Sequence, residues 1–435
     1  MKTITPAGSS LSLQDVLAAP EGATVSFHGM AHAVRDLGDV CFVLLRTAQG
    51  ALQCVVCPPL TPPRPGDALR VQGTVCRDAR APGGVELRLS ALQVLASPEA
   101  PMPAPIDKFR MRLSQDTDLA LRPVTLRNLQ KRAVFKVQEG VVRGFRECLQ
   151  DEGFTEIHTP KLGANTAEGG ANVFRLDYFG RRAALAQSPQ FYKQTMVGVF
   201  ERVFEVGPVF RAEKHNTARH LNEYTSLDLE MGFIDSFEDV MRMEVKVLAR
   251  IMEVLRRDYA PQLQALDVRL PACDAIPAVR FDEAKRMAAE RYGRPIRDPF
   301  DLEPEEEQLI SRLFEEEYGS QFVFVTHYPS KKRPFYAKDD PADPRYTLSF
   351  DLLLRGMEIT TGGERISGYS EQVEKMRRKG LDPADFGSYL MIHRHGMPPH
   401  GGLGIGLERL TARLVGAQNV REACLFPRDT LRLDP

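Results

Sequence analysis

Between Ala96 and Asp107 the chain reads ASPEAPMPAPID. Pro98, Pro101, Pro103 and Pro105 each fix φ and remove a backbone donor, so neither a helix nor a central strand can run through this segment. It acts as a stiff spacer. A chain of 435 residues is too long for one ordinary core, and the prolines mark where it divides. The spacing predicts a domain over 1–97, a proline-rich hinge over 98–118 and a larger domain over 119–435.

Upstream of the prolines stand five strand-like runs, TVSFHGMAHAV, VCFVLLRT, LQCVVC, ALRVQGTVC and VELRLSALQVL, separated by Gly, Pro and Asp. Five short strands suggest a closed barrel of the OB type, whose outer face commonly binds single-stranded nucleic acid. Cys54 and Cys57 form a CxxC, but LQCVVC alternates like a strand and no second closely spaced pair follows, so a metal site is disfavoured. Seven scattered cysteines fit reduced thiols. The segment PPLTPPRPGD, 58–67, is too short and proline-rich for a helix that would plug the barrel, which leaves its closure open.

Downstream, Leu129, Val134, Val137, Val141, Phe145 and Leu149 recur at helical spacing over 128–152 before Gly153. A second amphipathic helix covers 237–258. A third opens at Pro304, where Glu305, Glu306 and Glu307 suit the positive end of the helix dipole and are read as structural. RVFEVGPVF, SLDLEMGF, QFVFVTHYP and TLSFDLLLRGMEITTG read as strands. Helices flanking a mainly antiparallel sheet make this domain α+β, and the whole chain a multidomain α+β protein.

A net charge of −1 excludes a uniformly basic nucleic-acid coat. Residues 107–146 nevertheless carry ten basic side chains against Asp107, Asp116, Asp118 and Glu139, which fits either a solvated helix face or a phosphate-contact surface. The N-terminus lacks the apolar core of a signal peptide, and no apolar run approaches the roughly 18 residues that span a bilayer. A cytosolic protein without a membrane partner is expected.

Arg211 follows VGPVF, Arg365 follows EITTGGE, and Arg409 lies in GGLGIGLERL. Arginine's planar fork suits carboxylates and phosphates, although each of these taken singly is more often an ordinary ion-pair residue. The glycine run at 401–406 matches neither GxGxxG nor GxxxxGK[ST], which disfavours Rossmann and P-loop readings. In RAEKHNTARHLNEYTSLDLEM, 211–231, opposed charges crowd a segment ending in a strand.

FTEIHTPKL (154–162), VFEVGPVFRAEKHNTARHLNEYTSLDLEM (203–231) and GGLGIGLERL (401–410) resemble, in order, motifs 1, 2 and 3 of class II aminoacyl-tRNA synthetases. The resemblance spans nearly the whole chain and is closest to aspartyl-tRNA synthetases of the archaeal type. It implies ATP-dependent ligation of L-aspartate to tRNA through an aspartyl-adenylate. By resemblance, Arg211 bridges the α-carboxylate and α-phosphate, and Glu213, Arg219, His220, Leu221 and Tyr224 hold the nucleotide. Gly406, Leu407 and Glu408 stand with Arg409 at the γ-phosphate, Arg211, Glu358 and Arg409 being the catalytic set. Asp351, Glu358 and Thr361 are the implied Mg²⁺ ligands. Ser188, Gln190, Lys193, Asp228, Thr361 and Arg365 match the amino-acid site, with Lys193 and Arg365 on the side-chain carboxylate, and Asp228 and Glu168 on the ammonium. Glu364, where relatives often have Gln, adds a negative charge beside Arg365.

In the barrel, Phe42, Gln53 and Arg35 match family positions that contact the anticodon. His32 and Pro82 stand where discriminating relatives have Trp and Lys, which implies relaxed reading of the third anticodon base. The resemblance thus implies charging of both tRNA-Asp and tRNA-Asn, a separate amidotransferase acting on Asp-tRNA-Asn, and a homodimer through motif 1. The alternatives are a discriminating aspartyl enzyme, an asparaginyl enzyme, whose relatives do not keep the lysine at 193, and a non-catalytic tRNA-binding relative.

Overall fold

The computed structural model describes residues 11–164 and 172–434. The chain forms two compact units that divide after Arg132, so the first unit extends past the prolines.

In the first unit, β1 (Thr24–Asp36), β2 (Cys41–Arg46), β3 (Ala51–Val56), β4 (Ala68–Arg77) and β5 (Val85–Ala96) close into a barrel in the order β1-β2-β3-β5-β4. Only β3 and β5 run parallel. Period-2 alternation sorts the side chains: Cys41, Val43 and Leu45 of β2 are buried, while Phe42, Leu44 and Arg46 face outward. The same alternation buries Cys54 and leaves Cys57, beyond the strand, exposed. No cluster of metal-ligating side chains occurs among the described residues. A helix that the sequence pattern does not announce, Leu13–Ala18, begins with a Ser12–Asp15 capping box and adds Leu13 and Val16 to the barrel core. Leu60 of the 58–67 segment packs against the same core. Further on, the Asn128 amide donates to the carbonyls of Ile106 and Lys108 at 2.9 and 2.7 Å, anchoring the post-proline segment.

The strands of the second unit are β6 (Thr155–Glu156), β7 (Leu162–Gly163), β8 (Arg175–Tyr178), β9 (Arg181–Leu185), β10 (Arg202–Phe210), β11 (Glu223–Gly232), β12 (Ala278–Arg280), β13 (Phe322–Thr326), β14 (Ser349–Leu354), β15 (Met357–Glu364) and β16 (His400–Gly406). Eight make one sheet, ordered β12-β13-β14-β15-β16-β11-β10-β6, antiparallel except at β12–β13 and β10–β6. β7, β9 and β8 form a small separate sheet. The helices Leu129–Asp151 and Phe237–Asp258 bury Val137, Val141, Phe145, Val247 and Ile251 with Leu227, Leu229, Leu352 and Leu403 of the sheet. The two helices meet closely, since a Cβ on Gly144 would lie 2.7 Å from Ile251 Cα.

One expectation needs correction. The run TLSFDLLLRGMEITTG is two strands, not one: Arg355 and Gly356 adopt positive φ and turn β14 back into β15. Asp351 therefore faces Thr361 across the hairpin, with Glu358 on the neighbouring strand. No helix among the described residues is long and apolar enough to cross a membrane.

Glu244, on the helix Phe237–Asp258, is fully buried. Burial pushes its carboxyl up to about 8, with Thr360 opposing and Asp351 adding to the rise. The folded state thus holds this proton between about 4.5 and about 8 while the unfolded chain releases it, so stability falls as pH rises through that window. Glu244→Gln should remove the dependence. Thermal unfolding at pH 5 and pH 8 is expected to show the variant gaining on the parent at the higher pH, by up to about 1.4 kcal/mol per pH unit.

Candidate active site

On the sheet face opposite the two long helices lies a cleft of about 300 Å³, lined from β11, β15 and β16, from the loop after β10 and from residues 332–337. Strand alternation accounts for it. Leu227, Leu229, Leu403 and Ile405 point into the core, so Ser226, Asp228 and Glu230, and Gly402, Gly404 and Gly406, share the other face. The glycines keep that face open. At Gly402 a Cβ would lie 2.1 Å from Glu230 Oε2 and 2.2 Å from the Leu229 carbonyl oxygen.

At one end of the cleft four buried charges meet. Lys193 Nζ, 2 % exposed, donates to Asp228 Oδ1 and the Leu403 carbonyl, both at 2.9 Å, and lies 3.2 Å from Glu230 Oε2. Arg365 donates from Nε to Glu230 Oε1 and from Nη2 to the Gly402 carbonyl, again at 2.9 Å, with its guanidinium over the Tyr336 ring. Burial would push the fully buried Glu230 carboxyl up, but Arg365 and Lys193 outweigh it and hold it below the carboxylate range. Asp228 Oδ2 is buried and accepts no hydrogen bond among the described residues, and neither Gln190 Nε2 nor Gln187 Oε1 finds a partner there. His400, behind this cell, is held neutral by burial at about 4 and bonded to Gln194 and the Pro398 carbonyl.

At the other end guanidiniums gather. Arg211 lies over the Tyr224 ring at 5.5 Å, and Asn222 ties its loop by donating to the Arg211 and Glu213 carbonyls at 2.7 and 2.9 Å. Arg409 Nη1 reaches the Glu358 carbonyl at 3.2 Å and Oε1 at 3.4 Å. Burial pushes the Glu358 carboxyl up, yet Arg409, Arg333, Arg211 and Arg219 together hold it below the ordinary range. Arg219 pairs with Glu307, which burial drives up to about 7 against the pull of Arg219. His220 Nδ1 meets the Thr217 hydroxyl at 2.6 Å, and burial lowers its pKa against the opposing pull of Glu213. Both oxygens of Glu408 accept from the Thr225 amide at 3.1 Å.

Asp351 sits just behind the lining. Burial raises its carboxyl to about 6, with Arg333 opposing and Glu358 adding. Arg333 Nη2 lies 2.8 Å from Asp351 Oδ1, and its guanidinium stacks 3.9 Å from the Tyr328 ring centre. Thr361 Oγ1 donates to Glu358 Oε1 at 3.3 Å.

Ser188, Gln190, Lys193, Arg211, Glu213, Arg219, His220, Leu221, Tyr224, Asp228, Glu358, Thr361, Arg365, Gly406, Glu408 and Arg409 all line this one cleft. Leu407 does not: its side chain belongs to the core, because the residue after Gly406 starts the helix Leu407–Val415 with its apolar face inward. Lys193 pairs with both Asp228 and Glu230, and Arg365 with Glu230, which in sequence is one more polar strand position. Glu364 turns to Lys338, which matches its negative charge. Arg333 and Glu307 also escape sequence reasoning: Arg333 lies in an irregular loop, and Glu307 has the position of a residue serving the helix dipole. Glu168 lies outside the described residues.

The sequence pattern of the class II tRNA synthetases (D, K and N) matches residues 114–430. The chain belongs to this family. An aspartate–tRNA(Asp/Asn) ligase of Deinococcus radiodurans is 48% identical over 95% of this chain and 96% of its own, and one of Thermus thermophilus is 48% identical over 96% and 98%. Among solved structures, the asparaginyl-tRNA synthetase of Pyrococcus horikoshii complexed with asparaginyl-adenylate superposes with a TM-score of 0.88 at 30% identity, covering 98% of this chain and 100% of that one.

The barrel of this synthetase presents Arg35 and Phe42 as register partners on β1 and β2, Arg35 exposed and Phe42 half-buried. Gln53, next in the sheet on β3, donates to Glu86 at 3.1 Å. Pro82 is exposed at the start of the turn Pro82–Gly84. His32 is the extra residue of a bulge between Ala31 and Ala33 and is 4 % exposed.

Glu230→Ala should leave two buried cations without their shared carboxylate and destabilise the synthetase by about 3–5 kcal/mol. Urea titration of the parent and variant measures the loss, and an unchanged midpoint would show that Glu230 does not hold the cell together.

Proposed function

We propose that the chain activates L-aspartate with ATP and ligates it to both tRNA-Asp and tRNA-Asn. The observation that carries this reading is the buried cell of Lys193, Arg365, Asp228 and Glu230. Aspartate brings one ammonium and two carboxylates. Asp228 Oδ2 has no hydrogen-bond partner among the described residues and suits the ammonium, Arg211 suits the α-carboxylate, and the side-chain carboxylate goes to the cationic end at Lys193 and Arg365. An asparagine would set a neutral amide there, a mismatch worth roughly 3–5 kcal/mol at a buried charge.

Activation needs little covalent help. The α-carboxylate is ionised at neutral pH and attacks the α-phosphate without a general base. Its oxygen forms the bond to phosphorus as the bond to the pyrophosphate leaving group breaks. Positioning and neutralisation are what this chain supplies: Arg211 between the two reacting groups, Arg409 and Arg219 towards the phosphates, and Tyr224 beside Arg211. Mg²⁺ is commonly held by one or two carboxylates together with substrate phosphates. Asp351 and Glu358, carboxylates on neighbouring strands of one hairpin, would hold it with the Thr361 hydroxyl, which already donates to Glu358 Oε1 at 3.3 Å and faces Asp351 in register. When bound, the ion neutralises phosphate charge. Transfer of the aspartyl group to the terminal ribose of tRNA follows.

Dual tRNA specificity is supported by the Deinococcus and Thermus relatives, both aspartate–tRNA(Asp/Asn) ligases. It implies an amidotransferase acting on Asp-tRNA-Asn. Motif 1 includes β6, the edge strand of the sheet, where a second copy would dock to give a homodimer in the cytoplasm.

Aspartate-dependent exchange between pyrophosphate and ATP tests activation: exchange with aspartate and none with asparagine is expected, and exchange with asparagine alone would overturn the aspartate reading. Asp228→Asn should lower kcat/KM for aspartate by about 10²-fold or more. In charging assays the two tRNAs should differ by less than tenfold, whereas a preference above a hundredfold for tRNA-Asp would remove dual specificity.

A further inference from the structure

Most cations of the 107–146 stretch are matched. Arg122 and Lys131 share Asp118 at 3.0 and 2.8 Å, Arg143 pairs with Glu147 at 2.7 Å, and Arg146 with Glu156 at 2.9 Å. Arg110, Arg112, Arg127 and Arg132 form no ion pair among the described residues, and neither does Arg46 on the barrel; Arg110 and Arg112 are exposed, whereas Arg46 and Arg132 are half-buried. Arg46 and Arg132 line one cavity of the first unit, about 390 Å³, with His28, Thr47 and Leu95. Arg132 Nη1 donates to the Thr47 carbonyl, which fixes its guanidinium beside Arg46.

Burial, with Arg132 and Arg127 repelling, lowers Arg46 to about 10. Its Nε is buried without a hydrogen-bond partner, and so is Nδ1 of His32, the bulge residue, on which Arg46 and Arg132 both act. The nearby acid acting on His32 is Asp107, itself paired with Lys108 at 3.3 Å. Half-buried cations that repel one another, with donors unspent, are the electrostatic form of an anion site.

We propose that Arg46 and Arg132, with His32 nearby, bind backbone phosphate of the tRNA strand that crosses the first unit. This rests on the reading that the chain charges tRNA. Phe42, Leu44 and Arg46 form one outward row on β2, so Arg46 stands four residues, about 13 Å, from the Phe42 ring. A strand whose base stacks on Phe42 can therefore lay a neighbouring phosphate on the arginines, the pairing of aromatic platform and cationic track that single-strand binders use. Phosphate contacts carry no base identity, so this site serves tRNA-Asp and tRNA-Asn alike.

Full-length Arg46→Gln and Arg132→Gln would be tested for binding of both tRNA transcripts over a range of salt. Each is expected to weaken both transcripts about 5- to 30-fold at low salt and to reduce the slope of log affinity against log salt by ~0.7–0.9. Arg46→Lys should retain most of the affinity, and aspartate-dependent pyrophosphate exchange, which needs no tRNA, should stay within about twofold in every variant. Unchanged affinity and slope would overturn the proposal. A loss confined to one transcript would do so too, by marking a base reader. Stabilisation of the parent by inorganic phosphate, abolished in the variants while their tRNA slope is unaltered, would mark a free-anion site and likewise overturn it. Absence of exchange in the parent would sink the synthetase reading while leaving the binding result interpretable.

Discussion

Glu230 is the constraint on which the catalytic unit depends. An ionised carboxylate with no exposure survives only where cations reach it, and here Lys193 reaches Oε2 and Arg365 reaches Oε1. Those two residues lie far from Glu230 and from each other in sequence. They converge because β16 lies between β15 and β11, placing Arg365 just past the end of one neighbour and Glu230 on the other. The same arrangement demands glycine at 402, where any side chain would enter the carboxylate's space. The glycine run of GGLGIG is thus a packing requirement on the strand's cleft face, alternating with Leu403 and Ile405 in the core.

From this cell the charge of the cleft changes in steps. Around Asp228 and Glu230 cations and anions balance within bonding distance, which suits a ligand that is itself cation and anion. Towards Glu358 the balance tips: Arg211, Arg219, Arg333 and Arg409 all act on that one carboxylate. Such an excess is unfavourable for an empty protein interior and favourable for a polyphosphate, so the stabilisation of developing phosphate charge is built in before substrate arrives. Glu307 tempers it. By holding Arg219 and accepting the Glu358 amide at 2.8 Å, it joins the helix Pro304–Tyr318 to the cleft's wall.

Much of this was legible because strands and long helices declare themselves by period. The barrel runs and the helices near 129–151 and 237–258 repeat their apolar residues often enough to outvote noise, and turn residues mark their ends. Other features carry no period. The helix Leu13–Ala18 is too short to show one, and in the β14–β15 turn a single Gly356 follows Arg355, which itself takes positive φ where a second Gly or an Asn would have made the signal plain. Glu230 sat in a strand pattern as one more polar position, and only its zero exposure gives it weight. His32 is named by resemblance alone, which does not show that a bulge at this position buries the side chain. The family motifs located the cleft's residues but could not say which of them already had partners.

Partnership is what separates structural from functional charge in this chain. The near-zero net charge hides the distinction, because 57 basic and 58 acidic side chains could in principle cancel pair by pair. They do not cancel locally. On the long helices arginine meets carboxylate at the surface, pairs worth little each, and the result is a solvated face. Where four guanidiniums meet three carboxylates, as around Glu358, Glu307 and Asp351, or share none among the described residues, as at Arg46 and Arg132, the folded protein bears their mutual repulsion. Such repulsion is relieved only by an anion that the chain does not itself provide. Both places face cavities, and each has an aromatic ring within a nucleotide's reach, Tyr224 against Arg211 in one unit and Phe42, four residues along β2 from Arg46, in the other. The recurrence follows from the chemistry of a nucleotide: its phosphate requires the unmatched cations and its base requires the ring.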